Sequence, residues 1–166
     1  MKKEISNSLI TGLMIFVIGI SVFLMVSFER RNDKDYMKIL GIREFSYQYF
    51  DELLSQARSE NIVELDSDML QLKQNGYDIF FHKNDDNAKY NYSFMRIEVY
   101  DPRYKFDDEK IFVGVSKDLV VDTYSSYPEI KDLPNNRVGY IVDGMWINFE
   151  SNASNMIDKV IIYYGP

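Results

Sequence analysis

The sequence predicts an α+β protein: an N-terminal transmembrane helix, then two tandem α-β-β-β units sharing one antiparallel sheet with helices on one face. Three observations carry this expectation. Leu9 to Phe28 runs without a charged residue; about twenty helical residues span about 30 Å, the thickness of a bilayer's hydrocarbon core. The rest of the chain holds stretches of helical apolar spacing and short runs of period two, separated by turn residues. Lastly, an ordered set of glycine, helix, hairpin and final strand occurs twice.

Residues 1–8 form a short basic N-terminus containing Lys2 and Lys3, and 9–28 form the expected anchor. A cleaved secretory signal also has a basic start and an apolar run, but it needs a small-x-small site. Gly19-Ile20-Ser21 matches this weakly, and cleavage there leaves the apolar segment VFLMVSF at the new terminus. The stretch therefore reads as an uncleaved, single-pass signal anchor in the cell membrane. Residues 29–38, ERRNDKDYMK, read as a juxtamembrane linker. A single soluble domain is expected over 39–166, with its first unit at 39–102 and its second at 111–166.

In the first unit Leu40-Gly41-Ile42 leads into apolar positions at Phe45, Tyr49, Phe50, Leu53, Leu54 and Ala57, the stripe of an amphipathic helix. Met69 to Lys73 reads as a strand. Asn75-Gly76 suits a two-residue type I′ turn, whose central residues both need positive φ. Tyr77 to His82 is the return strand, with Ile79 and Phe81 on one face. A third strand runs from about Ser93 to Tyr100 and stops at Asp101-Pro102.

The second unit repeats this order. Phe112-Val113-Gly114-Val115 matches Ile39-Leu40-Gly41-Ile42. Ser116 is placed to cap a helix that Pro128 stops. Val138 to Val142 and Met145 to Glu150 flank Asp143-Gly144, again a type I′ dipeptide. Ile147 and Phe149 then match Ile79 and Phe81. Lys159-Val160-Ile161-Ile162-Tyr163 matches Arg96-Ile97-Glu98-Val99-Tyr100. The separation falls from 73 residues at the first glycine to 68 at the turn glycine and 63 at the last strand, as shorter loops in the second copy require. One such unit buries its apolar face poorly, whereas two can join strands into a longer sheet.

The second unit carries a resemblance. Gly114-Val115-Ser116-Lys117-Asp118-Leu119-Val120, the Tyr127-Pro128 stop, the run from Gly139 to Phe149, and Val160-Ile161-Ile162-Tyr163 resemble the units of the β-lactamase inhibitor protein and of small outer-membrane assembly lipoproteins. In those, a hydrophobic-Gly-x-Ser entry precedes a helix, a tyrosine-rich hairpin and an Ile-x-Phe strand. The inhibitor is itself two tandem copies. The likeness covers 39–166 and is strongest over 111–166. The chain departs from it by lacking cysteine, by its anchor, and by having Arg43 opposite Ser116. The resemblance implies the fold and an exported binding role. It does not imply β-lactamase inhibition, because no inhibitor contact residue is matched.

Sidedness has two readings. Arg30, Arg31, Lys34 and Lys38 outnumber Lys2 and Lys3, and a count of flanking cations would hold the domain in the cytoplasm. The signal-like layout and the resemblance favour an extracytoplasmic domain, which is the expectation adopted.

Composition excludes some chemistry. The formal charge is −7 with no basic stripe, against the positive footprint that nucleic-acid binding needs. There is no cysteine, so disulfides, thiolate metal sites and thiol nucleophiles are excluded. This suits a bacterial surface protein without disulfides, and equally a cytosolic one. Thirteen Tyr and 11 Phe allow an aromatic core. The lone histidine, His82, lies opposite Ile79 and Phe81 on its strand and reads as a surface residue. Gly114-Val115-Ser116-Lys117-Asp118 lacks the final glycine of a nucleophile elbow, and no phosphate-binding loop occurs. Asp66-x-Asp68, Asp85-Asp86-Asn87 and Asp107-Asp108-Glu109 lack calcium-loop spacing and read as solvated loops.

No catalytic, cofactor-binding or metal-binding residue is therefore assigned, and no cofactor. The candidate partner-binding residues are the strand aromatics Trp146, Tyr140, Tyr77 and Phe80, with Trp146 placed on the open side of the sheet. The expected function is a membrane-tethered, extracytoplasmic binding or scaffold module without catalytic activity, with an unidentified protein or cell-envelope partner. The alternatives are an envelope enzyme using acidic residues and a cytoplasm-facing interaction domain at the membrane.

Overall fold

The computed structural model describes residues 36–43, 45–84 and 91–164. The chain divides into two compact units, Met1–Lys34 and Asp35–Pro166, and the described residues all belong to the second. Its elements are α1 (Tyr36–Ile39), α2 (Tyr47–Gln56), a 3-10 turn (Ser59–Asn61), β1 (Ile62–Glu64), β2 (Met69–Lys73), β3 (Tyr77–Lys83) and β4 (Tyr92–Val99). Then follow α3 (Lys117–Tyr124), β5 (Arg137–Val142), β6 (Met145–Ser151) and β7 (Ile157–Tyr164).

All seven strands form one sheet in the order β1-β2-β3-β4-β7-β6-β5. Every pairing is antiparallel. The register aligns one apolar row across it: Leu72, Ile79, Ile97, Ile162, Ile147 and Tyr140 face the same side on six successive strands. All six are buried. Each aliphatic member contributes roughly 1.5–3 kcal/mol by leaving water.

The two helices on this side supply the aromatic half of the core. Phe50 of α2 stacks on Phe94 with ring centroids 5.0 Å apart and meets Phe81 edge-on at 5.7 Å. Tyr124 of α3 stacks on Tyr140 at 5.4 Å and lies against Phe149 at 5.2 Å. Both helices begin at a capping serine. Ser46 Oγ accepts from the Tyr49 amide and Ser116 Oγ from the Leu119 amide. The matched glycines before them, Gly41 and Gly114, both have positive φ, 75° and 109°. A side chain is strained in that region, which explains glycine at both places.

The fold expected from sequence is corrected in several respects. In place of the expected two tandem α-β-β-β units, the protein is a mostly antiparallel seven-stranded sheet with few, short helices. The additional strand is β1, three residues between the expected helix and the strand at Met69. Among the described residues no helix is long and apolar enough to cross a membrane. The transmembrane, single-pass and signal-anchor expectation fell on Leu9–Phe28, which lies outside the described residues. Tyr36 and Met37, read as linker, are buried in the core. The first helix does have a capping serine, Ser46, three residues beyond Arg43. The two turns also differ. Asp143 and Gly144 both have positive φ, as a type I′ turn needs, whereas at Asn75-Gly76 only the glycine does.

One buried polar contact ties distant parts of the chain. The Tyr36 hydroxyl of α1 hydrogen-bonds the Tyr124 hydroxyl of α3, and both side chains are fully buried. Tyr36 also stacks on Phe106 at 5.0 Å. Burial pushes both phenol pKa values up, so the pair stays neutral well into alkaline pH. Tyr36→Phe leaves the Tyr124 hydroxyl without this partner and is expected to cost about 1–3 kcal/mol, as is Tyr124→Phe. The double variant is expected to lose clearly less than the two added together. Urea unfolding of the four proteins measures the coupling; strict additivity would show that the bond contributes nothing.

Candidate functional site

The helices cover one face of the sheet, so the other is where side chains are presented outward. Alternation decides which they are. Gln71, Asp78, Phe80 and His82 of β2 and β3 point to this face, with Arg96 and Glu98 of β4. Lys159, Ile161 and Tyr163 of β7 join them, as do Trp146, Asn148 and Glu150 of β6, and Arg137, Gly139 and Ile141 of β5.

At its centre lies an ion-pair network. Glu98 accepts from Arg96 Nε at 2.7 Å and pairs with Lys159 Nζ at 3.0 Å. Partial burial pushes the Glu98 carboxyl pKa up. The hydrogen bonds and charges of Arg96 and Lys159 outweigh that and hold it below the usual glutamate range. Arg96 also lies over the Phe80 ring, 4.1 Å from its centroid. Further along, Arg137 binds Glu150 at 2.8 Å. These cations and anions satisfy one another, so the face offers little uncompensated charge.

Beside the network lies an apolar strip. Trp146 sits between Ile141 on β5 and Tyr163 on β7. It is 39% exposed. Next to it the surface closes: a Cβ on Gly139 would come within 2.7 Å of Leu133, so the loop after α3 packs down there. Asn148 is buried under this cover, and its Oδ1 has no hydrogen-bond partner among the described residues.

Of the residues singled out from sequence, Trp146 and Phe80 share this face, though Phe80 is buried beneath Arg96. Tyr140 and Tyr77 do not. Tyr140 pairs with Ile147 and is buried against Tyr124. Tyr77 pairs with Val99, meets Tyr104 edge-on and donates to the Leu40 carbonyl at 3.1 Å. Burial pushes its pKa up to about 12. Each lies an odd number of residues from its outward-facing neighbour, which sends it to the helix side. The sequence reading missed Arg96, Glu98 and Lys159. Their signal was the aligned pair Arg96/Lys159, two cations at matching positions of two similar strand sequences, which needs the register to acquire meaning. His82 is exposed.

Both sheet edges are blunted. At β1 the Ile62 amide is used by the 3-10 turn, bonding the Ser59 carbonyl. At β5 the segment around Glu129 forms a bridge with Tyr140, through Ile130 N to Gly139 O at 2.8 Å and Ile141 N to Pro128 O at 2.9 Å. Short or covered edges resist pairing with another chain.

A cleft of about 520 Å³ lies between α2 and the β1 side of the sheet. Its carboxylates, Asp51 and Glu52, are consecutive on one helix. A hydrolytic acid pair flanks the scissile bond from two sides, and this cleft has both acids on one wall. Among the described residues no group of three His, Cys, Asp or Glu side chains is placed to hold a metal ion.

Comparison with protein-family models, with curated proteins and with solved structures gives no match.

The network has a pH signature. The Glu98 pKa is lower in the folded chain than the ordinary value of 4.5. Its stabilisation is therefore complete above about pH 4.5 and is lost as pH falls through the lowered folded value. Glu98→Gln is expected to flatten the acid limb of the urea midpoint against pH relative to the parent protein. Identical acid limbs would show that other carboxylates govern acid unfolding.

Proposed function

We propose that this chain is a protein-binding module that engages its partner with the helix-free face of the sheet. The observation that carries the reading is Trp146, exposed in a row with Ile141 and Tyr163 beside a self-compensated ion-pair network. Tryptophan, tyrosine and arginine are enriched among the residues that dominate the energetics of protein interfaces, and the two aromatics bury much area in rigid rings. Charges already paired within the face need not be stripped of water and left alone on docking. The blunted edges point in the same direction, since they leave a face rather than strand addition as the route to a partner. The resemblance noted over 111–166 also favours binding over catalysis, without naming the partner.

The test uses a photo-crosslinking amino acid at Tyr163, with Val121 of α3 as the control position, in cells producing the full chain. The expected result is a discrete protein adduct from position 163, absent from 121 and lost when Trp146→Ala is added. Trp146→Ala itself is expected to change folding stability by no more than about 1 kcal/mol, because the side chain is partly exposed. The same adducts from both positions, or an adduct that survives Trp146→Ala, would overturn the reading.

A further inference from the structure

The cleft between α2 and the β1 side of the sheet is built for a different ligand from the open face, and its assignment does not rest on that proposal. Its floor is apolar, formed by Leu54 of α2, Ile62 of β1, Leu70 of β2 and Tyr92 of β4. Its α2 wall carries Asp51 and Glu52. Glu52 already accepts from Gln48 Nε2 at 3.1 Å. Asp51 makes no hydrogen bond or ion pair among the described residues. Among the described residues no cationic side chain lines the cleft.

The surrounding charge is mostly acidic, with Lys83 across the strand pair from Tyr92. From 51 to 68 the chain carries Asp51, Glu52, Glu60, Glu64, Asp66 and Asp68, against Arg58 alone. Arg58 is paired with Glu60 at 3.6 Å. Apolar lining beside the Asp51 carboxylate suits a side chain that is aliphatic along its stem and cationic at its tip. The Tyr92 ring adds a π-face for a guanidinium. Glu52 is exposed, so the cleft stays open to solvent. A free small amine would remain largely hydrated there, whereas a peptide can seat one side chain and lay its neighbours along the apolar floor.

We propose that this cleft docks a basic segment of a partner protein, with an arginine flanked by apolar residues, and that Asp51 receives the guanidinium. The test titrates the full chain into a fluorescein-labelled pentapeptide LRLRL and follows anisotropy. Saturable binding is expected, weakened at least tenfold by Asp51→Asn and unchanged by Asp108→Asn, an equal charge change on a distant loop. The acidic peptide LELEL should not bind, and argininamide should compete only at far higher concentration. Equal weakening by the two variants would reduce the binding to the general field of an acidic protein and overturn the site. So would binding of LELEL, no binding of LRLRL, or argininamide competing as well as the peptide.

Discussion

The antiparallel pairing of β4 with β7 holds the rest of the structure together. Only three residue pairs form it: Ile97 with Ile162, Glu98 with Ile161, and Val99 with Val160. Yet it joins β1-β2-β3-β4 to β7-β6-β5, and through it the apolar row of each half becomes one row. The pairing is internally symmetric. With the two copies aligned, Ile97 corresponds to Val160 and Val99 to Ile162, so the outer two pairs exchange into one another. The local two-fold therefore passes through Glu98 and Ile161. A one-residue slip would send every inward side chain of one half to the outer face, so the core on the helix side holds the register on both.

The outward face inherits its chemistry from that arrangement. The two paired strands place a cation at the same step, Arg96 on β4 and Lys159 on β7, and the local two-fold of their pairing brings both to the axis. One axial residue is Glu98, which takes both cations. The other is Ile161, which is buried among them. Divergence of one residue at the axis thus turns two repelling cations into a closed network. A second divergence, Trp146 on the outward face of β6, places the apolar strip in one half only. The face is asymmetric although the scaffold beneath it is nearly symmetric, and the asymmetric part is where recognition is proposed.

Legibility followed the range of the physics involved. The hairpin at Asp143-Gly144 can be read locally, because few dipeptides accept two positive φ values. Ser116 can be read likewise, because a cap acts within three residues. Strands β2, β3, β5, β6 and β7 announce themselves by alternation against turn residues. The short β1 does not: three residues are too few for a period, and only pairing with β2 makes them a strand. The Ser46 cap was obscured because the first copy enters its helix three residues later than the alignment with Ser116 implied. Tyr140 and Tyr77 were misplaced for a related reason. Aromatic content marks them as important, but parity against the partner strand decides whether that importance lies in the core or at the surface.

The sequence by itself determined most of the local elements and the exclusion of cysteine chemistry. These depend on dihedral preference, side-chain period and composition, all properties of neighbouring residues. Only the tertiary structure decided that β4 pairs with β7, that Tyr36 reaches Tyr124 across 88 positions of chain, and that Arg96, Glu98 and Lys159 form one network. It also decided which aromatics are core and that Asp51 shares one cleft with Ile62, Leu70 and Tyr92. Those facts depend on register and long-range packing, which bring together residues that no short window of sequence contains.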